Sequence, residues 1–323
     1  MPDMPLLQQV ALSSPLKAPL RSKGVEGPVG VALLPDDSVM IEPQTSLAPR
    51  DFIFPNNPGT GTSLSFHNGA IATGAPVQLI FWGSAWNQPS TSPSTGNIIN
   101  AVQSLLTGPF MSGLRQYGIR RSPFRGSIVV TSPGPPTLPN TFSDAGGDIE
   151  NLVNSLINNG TFPEPDEDGG RNIYCVVMPP NTKFNGPNGV IGAHGHFSSG
   201  SIIDVDNAWY AWIGNANLAT MTRAFGHELV ETCTDPEGDG WTIDGAPASL
   251  NEIGDICNSN SNLRSLNGVT VEPYWSKFDG ACIIPTSISV RRTLASVGKH
   301  LNGKGLLSLQ SPIQSLNKFI SSL

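Results

Sequence analysis

Charge is scarce in this chain. Asp, Glu, Lys and Arg make up 13% of its 323 residues, where a typical globular domain carries about 25%. The formal net charge is −7, and Lys and Arg form no dense cluster, so a phosphate-binding or nucleic-acid-binding surface is not expected. No stretch reaches the ~18 apolar residues of a membrane-spanning helix. The opening "MPDMPLLQQVALSSPLKAPL" has prolines where a secretory signal needs an unbroken apolar run, so no such signal is read there. Cysteine is limited to Cys175, Cys233, Cys257 and Cys282. None forms a C-x-x-C pair, which argues against a thiolate zinc knuckle. Cys257 and Cys282 share the C-terminal region and are either bridged or two buried thiols.

Gly and Pro are plentiful, at 35 and 29 residues. Together with the low charge they suit a loop-rich, mostly uncharged polar surface, common among secreted proteins. Residues 1–62 are rich in Pro, Ser and Gly without sustained periodicity, and read as an extended leader or pro-segment. The compact part is expected over 63–236, followed by a loop-rich subdomain over 237–290 and an amphipathic tail over 291–323. No internal repeat is evident.

Within the compact part, "PVQLIFWG" (76–83) and "GSIVVTS" (126–132) are apolar runs of β-formers and predict buried strands. Ile98, Val102, Leu105 and Leu106 keep helical spacing until Gly108-Pro109. "DIENLVNSLINNG" (148–160) places Ile149, Leu152, Val153, Leu156 and Ile157 on one helical face, with Gly160 as a C-terminal stop. Three more strands are expected in "NIYCVVMPP" (172–180), "GVIGAHGHF" (189–197) and "NAWYAWIGN" (207–215). A helix then starts at an Asn217 cap and ends before Pro236, with Leu218, Met221, Ala224, Phe225, Leu229 and Val230 in register. A hairpin is expected around "VTVEPYW" and "GACII".

That last helix carries "GHELVETCTDP". Residues four apart on a helix lie on one face, so His227 and Glu231 point at the same spot, and Glu228 reaches it from the side. Zinc peptidases place two ligands at this spacing in His-Glu-x-x-His, with the intervening Glu as general base toward a metal-activated water. Here the second ligand is a carboxylate, which zinc accepts. "SLNEIGDICN" (249–258) offers a third ligand in Glu252. Asn251, Glu252 and Asp255 resemble the Asn-Glu-x-x-x-Asp stretch of thermolysin-like and related gluzincin peptidases, with one residue fewer. That resemblance implies an α+β fold with an α/β-like three-layer core. It would have a zincin-like mixed sheet, an active-site helix and "NAWYAWIGN" as a substrate-pairing edge strand. A metzincin arrangement would use Glu237 instead, but Thr234 stands where its Gly turn belongs.

The succession of motifs over residues 66–284 resembles the phosphate-induced, exordium-like family and its bacterial relatives. It runs "FHNGA", "PVQLIFWGSAWN", "NIYCVVMPP", "GAHGHF", "GHELVETCTDP", "NEIGDIC" and "EPYWSKFDGAC". The family is typically secreted, so the resemblance implies an extracellular protein despite the missing signal. It also implies the Cys257–Cys282 bridge and draws attention to His194 and His196, which share one face of a strand. His194 is a candidate to hydrogen-bond a substrate oxyanion or a ligand carboxylate.

The expected centre is therefore Zn2+ on His227, Glu231 and Glu252, with Glu228 as proton acceptor and His194 as the second catalytic candidate. Asp235 and Asp255 would orient His227 or act as extra ligands. So oxygen-rich a shell also suits Ca2+ or Mn2+. The chemistry expected is that of a secreted metallopeptidase, a monomer, acting on a peptide or cell-wall polymer. The alternative is a non-catalytic extracellular or cell-wall protein with a structural metal or a glycan-binding role. Two further patterns carry little weight. "DPEGDGW" (235–241) starts like a calcium loop but has Ala246 at the closing position. Trp82, Trp86, Trp209, Tyr210 and Trp212 form either a sugar- or peptide-binding surface or core packing.

Overall fold

The computed structural model describes residues 8–11, 30–33, 51–54, 64–137, 140–165, 171–200, 205–247, 251–258 and 260–287. The tail expected over 291–323 lies outside them. The fold is α+β, built in three layers around one mixed sheet of seven strands. In chain order these strands are β1 (Gln8–Ala11), β2 (Gly30–Leu33), β5 (Val77–Trp82), β6 (Phe124–Ser132), β8 (Ile173–Val177), β10 (Val190–Gly200) and β11 (Val205–Ile213). In space the order is β1-β6-β5-β8-β11-β10-β2. β1, β6, β5, β8 and β11 run parallel to one another, while β10 pairs antiparallel with both β11 and β2.

Central strands covered on both faces read as continuous apolar runs, and every residue of β5 and β8 is buried. Alternate residues feed two cores. Leu79, Phe81, Cys175, Val177 and Ile213 face one layer, formed by helices α1 (Thr95–Thr107) and α3 (Leu218–Thr234). Ile80, Trp82, Tyr174, Val176 and Trp212 face the other, which is helix α2 (Asp148–Asn158).

The helices begin where their caps put them. Ser94 and Asn97 form a reciprocal capping box on α1, satisfying two orphan donors. Asn217 Oδ1 accepts from Thr220 N on α3 at 2.9 Å. Asp148 and Glu150 occupy the first turn of α2, where negative charge complements the helix dipole.

Two stretches of the N-terminal 62 residues, β1 and β2, supply the outer strands of the main sheet, and β3 (Phe52–Phe54) pairs with β16 (Ala281–Ile284). β4 (Leu64–Phe66) pairs with β12 (Trp241–Ile243), and β7 (Thr141–Phe142) with β9 (Lys183–Phe184). Beyond α3 come two small hairpins. β13 (Arg264–Leu266) pairs with β14 (Val269–Val271), and β15 (Tyr274–Ser276) with β16. The "VTV" stretch thus folds back on residues preceding it, and "YWS" is the true partner of "ACII". The Cys257–Cys282 disulfide ties this region together.

One expectation is corrected here and one open alternative is decided. "NAWYAWIGN" is not an edge: β11 is enclosed between β8 and β10, because the antiparallel ladder with β10 runs from Gly192↔Ile213 to Gly200↔Val205. The aromatic residues are not a binding surface either. Trp82, Trp86, Trp209, Tyr210 and Trp212 are all buried, as their large apolar area favours.

Candidate metal centre

Helix α3 lies over β10 and β11 and presents His227, Glu228 and Glu231 to a buried space. β10 contributes His194 from beneath. The turn at 252–257, held by Ile256 N donating to Glu252 O (3.2 Å) and Cys257 N to Gly254 O (2.8 Å), closes the space with Glu252 and Asp255. Each of these six side chains is buried, from 0% exposed for Glu231 to 8% for Asp255.

Their ligand atoms converge. Glu231 Oε1 lies 3.1 Å and Asp255 Oδ1 3.5 Å from His227 Nε2. On the β10 side, Glu228 Oε2 lies 3.1 Å and Glu231 Oε2 3.8 Å from His194 Nδ1. Among the described residues two groups can hold a metal ion, His194/Glu228/Glu231 and His227/Glu231/Asp255, with ligand atoms in each within 4.8 Å of one another. Asp255 N also donates to Glu231 Oε1 at 3.0 Å, so the turn and the helix position each other.

Two glycines make this approach possible. A Cβ at Gly254 would stand 2.6 Å from Glu231 Oε1 and 3.1 Å from His227 Nδ1. A Cβ at Gly192 would stand 2.9 Å from Glu228 Oε1. All three distances are below van der Waals contact, so only glycine lets the backbone run against these side chains.

The residues fit a cation. His227 Nε2, Glu231 Oε2, Asp255 Oδ2 and both carboxylate oxygens of Glu252 are buried without a hydrogen bond. Glu252 Oε1 lies 3.3 Å from His194 Nε2, but without the alignment of a hydrogen bond. Orphaned buried polar atoms are costly, and a positive ion among them removes the cost. Burial raises the Glu228 carboxyl to about 7, although the His194 hydrogen bond opposes it. Burial, with Glu231 beside it, raises Asp255 to about 7, and the same two causes push Glu252 well above the carboxylate range. Burial alone would lower both imidazoles. Glu252 and Glu228 outweigh it at His194, and Glu231 and Glu272 at His227, leaving both well above their ordinary value.

The expected residues are therefore brought to one place, with altered parts. Glu252 stands beside His194 and is in neither three-residue group, while Asp255 faces His227 in its stead. In a turn this short, a step of three residues decides which carboxylate is presented. Asp235 does not orient His227. Its carbonyl faces His194 Nε2 at 3.4 Å, and its Oδ1 accepts from Gly240 N at 2.6 Å, because it caps the end of α3. Glu237, the metzincin candidate, accepts from Asn207 Nδ2 (2.8 Å) and Trp209 Nε1 (2.9 Å). Asp235 and Glu237 thus serve separate partners, and the calcium-loop pattern is not assembled. His194, on the strand face expected of it, is 0% exposed. His196 is also buried but belongs to neither group.

Two residues were missed. Glu272 Oε1 bonds His227 Nδ1 at very short range. Its Oε2 accepts from Arg223 Nε at 2.6 Å, and Arg223 Nη2 donates to Asn258 Oδ1 at 2.6 Å. Although burial opposes it, His227 and Arg223 hold the Glu272 carboxyl below its usual value. Arg223 had a readable signal: it stands four residues before His227, on the same face of a helix with few charges. Glu272 follows β14 outside any metal motif, and no spacing rule points to it.

No protein-family model, no curated protein and no solved structure matches this chain.

Proposed function

We propose that this chain is a zincin-like metallohydrolase, a secreted peptidase that acts on peptide bonds at this centre, with kinship to the exordium-like family. The observation that carries the reading is His227 Nε2: a fully buried ring nitrogen without a hydrogen bond, facing carboxylate oxygens of Glu231 and Asp255 at 3.1 and 3.5 Å. A divalent ion, Zn2+ or the harder Mn2+ or Ca2+, would supply Lewis acidity there, polarising a carbonyl and making a coordinated water more acidic.

The chain's own groups do the rest. Glu272 accepts from Nδ1 and so leaves the Nε2 lone pair free to ligate. Glu231 and Asp255 supply oxygen. Glu228 has two roles open to it, proton acceptor or ligand, and the metal content of Glu228→Gln separates them: unchanged for an acceptor, lower for a ligand.

The test uses full-length protein supplied with Zn2+, analysed for bound metal and assayed on casein and a peptide library. Stoichiometric metal and chelator-sensitive cleavage are expected, both lost in His227→Gln. Absence of stoichiometric metal rejects the reading. Complete burial of the centre favours one other reading, a non-catalytic extracellular or cell-wall protein with a structural ion. That protein would bind metal, melt at higher temperature with it, and never cleave.

A further inference from the structure

We propose that the centre holds two divalent cations, bridged by Glu231, with His227 and Asp255 completing one site and His194 and Glu228 the other. The proposal rests on the metal-centre reading above and extends it to a second ion.

The first support is the division of one carboxylate between two imidazoles. Glu231 turns Oε1 to His227 Nε2 (3.1 Å) and Oε2 to His194 Nδ1 (3.8 Å). Ligands ~2.0–2.1 Å from a tetrahedral zinc stand ~3.3 Å apart. The remaining separations, 3.5 Å from His227 Nε2 to Asp255 and 3.1 Å from His194 Nδ1 to Glu228, fall near that edge on both sides of the shared residue.

The second support is that the two histidines are set up alike. In each, one ring nitrogen faces the ligand group while the other faces an acceptor outside it. His227 Nδ1 meets Glu272, and His194 Nε2 meets the Asp235 carbonyl at 3.4 Å, with Glu252 Oε1 beside it at 3.3 Å. A neutral imidazole carries one N–H and one lone pair. If the N–H donates outward, the lone pair is left aimed at carboxylate oxygens, an arrangement that a cation between them makes attractive. An outward bond that fixes the tautomer is the usual companion of a ligating histidine.

The third support is charge. Glu228, Glu231, Glu252 and Asp255 are all buried, and Glu272 is already matched by Arg223. These four carboxylates with neutral imidazoles leave a formal −2 around one dication and zero around two, and the buried Asp235 next to His194 adds a further negative charge that also favours the second cation. Net charge enclosed in a low-dielectric interior is strongly unfavourable. Glu252, whose two oxygens have no hydrogen bond, supplies the fourth of these charges beside His194.

Metal-free full-length protein titrated with Zn2+ alone, with bound zinc measured after desalting, gives the decision. Two equivalents are expected. His194→Gln should keep one, Asp255→Asn should keep one, and Glu231→Gln should keep none, each variant being checked for native circular dichroism and elution volume. Loading with Mn2+ gives a readout free of activity: a spin-coupled pair spectrum in wild type, and an isolated six-line spectrum in His194→Gln. One equivalent in wild type, unchanged in His194→Gln, overturns the second site while the single-ion reading stands. Zero equivalents overturn both. Should Glu231→Gln fail to fold, the His194→Gln and Asp255→Asn pair still decides between one ion and two.

Discussion

His227 is engaged from both sides of its ring, by Glu272 on Nδ1 and by the carboxylate group on Nε2. Replacing Glu272 by Gln keeps the shape but removes the charge that orients the ring and raises its basicity. Loss of such an outer partner typically weakens metal binding by about 10–100-fold. Titration of Glu272→Gln with Zn2+ should show that loss with the fold intact. A second buried acid lies across the sheet. Asp144 Oδ2 accepts from Trp212 Nε1 at 2.7 Å, and burial raises its carboxyl to about 6 from 3.8, against the Trp212 and Tyr210 hydrogen bonds. The folded state then holds this proton more tightly than the unfolded chain. Stability from this group is full below about pH 4, declines as pH rises toward 6, and stays lower above it, by about 3 kcal/mol at most. Asp144→Asn, which can still accept from Trp212, should flatten the pH dependence of chemical denaturation between pH 4 and 6.

Helix α3 is the element that positions the centre, and it was the most legible part of the sequence. Its cap, its apolar register and its stop at Pro236 all follow from local rules, so His227, Glu228 and Glu231 fell where expected. Asn217 Oδ1 satisfies one of the orphan donors at its start. Asn217→Ala should lower stability by about 1 kcal/mol, measurable as a shift in denaturation midpoint without change in slope. What local rules do not encode is which distant strand lies beside which. The enclosure of β11 depends on β10 folding back along its whole length and on β2 arriving from far up the chain. The exchange of Glu252 for Asp255 depends on a short turn whose orientation is set by the helix it touches. Glu272 was hidden for the same reason: it meets His227 only once β14 packs on α3.

At the scale of the molecule, the Cys257–Cys282 bridge closes a loop of 25 residues that includes Glu272 and fastens the 252–257 turn to β16. Constraint of the unfolded chain by a loop of that length is worth about 3–4 kcal/mol. Reduction, or a Cys282→Ala replacement, should lower the melting temperature, and it should weaken zinc binding too if Asp255 is a ligand, since Asp255 stands two residues from Cys257.

The borders of the main sheet come from the beginning of the chain. Gln8 pairs with Ile128 in β6, and Gly30 with His194 in β10. On a ribosome the amino-terminal stretch therefore emerges long before either partner has been translated. β1 must wait, unpaired, until β6 is made, and the β2 end of the sheet is completed only after β10 has left the exit tunnel. Protease pulses on nascent chains stalled at successive lengths should find residues 30–33 cleavable until well past residue 194, and protected afterwards.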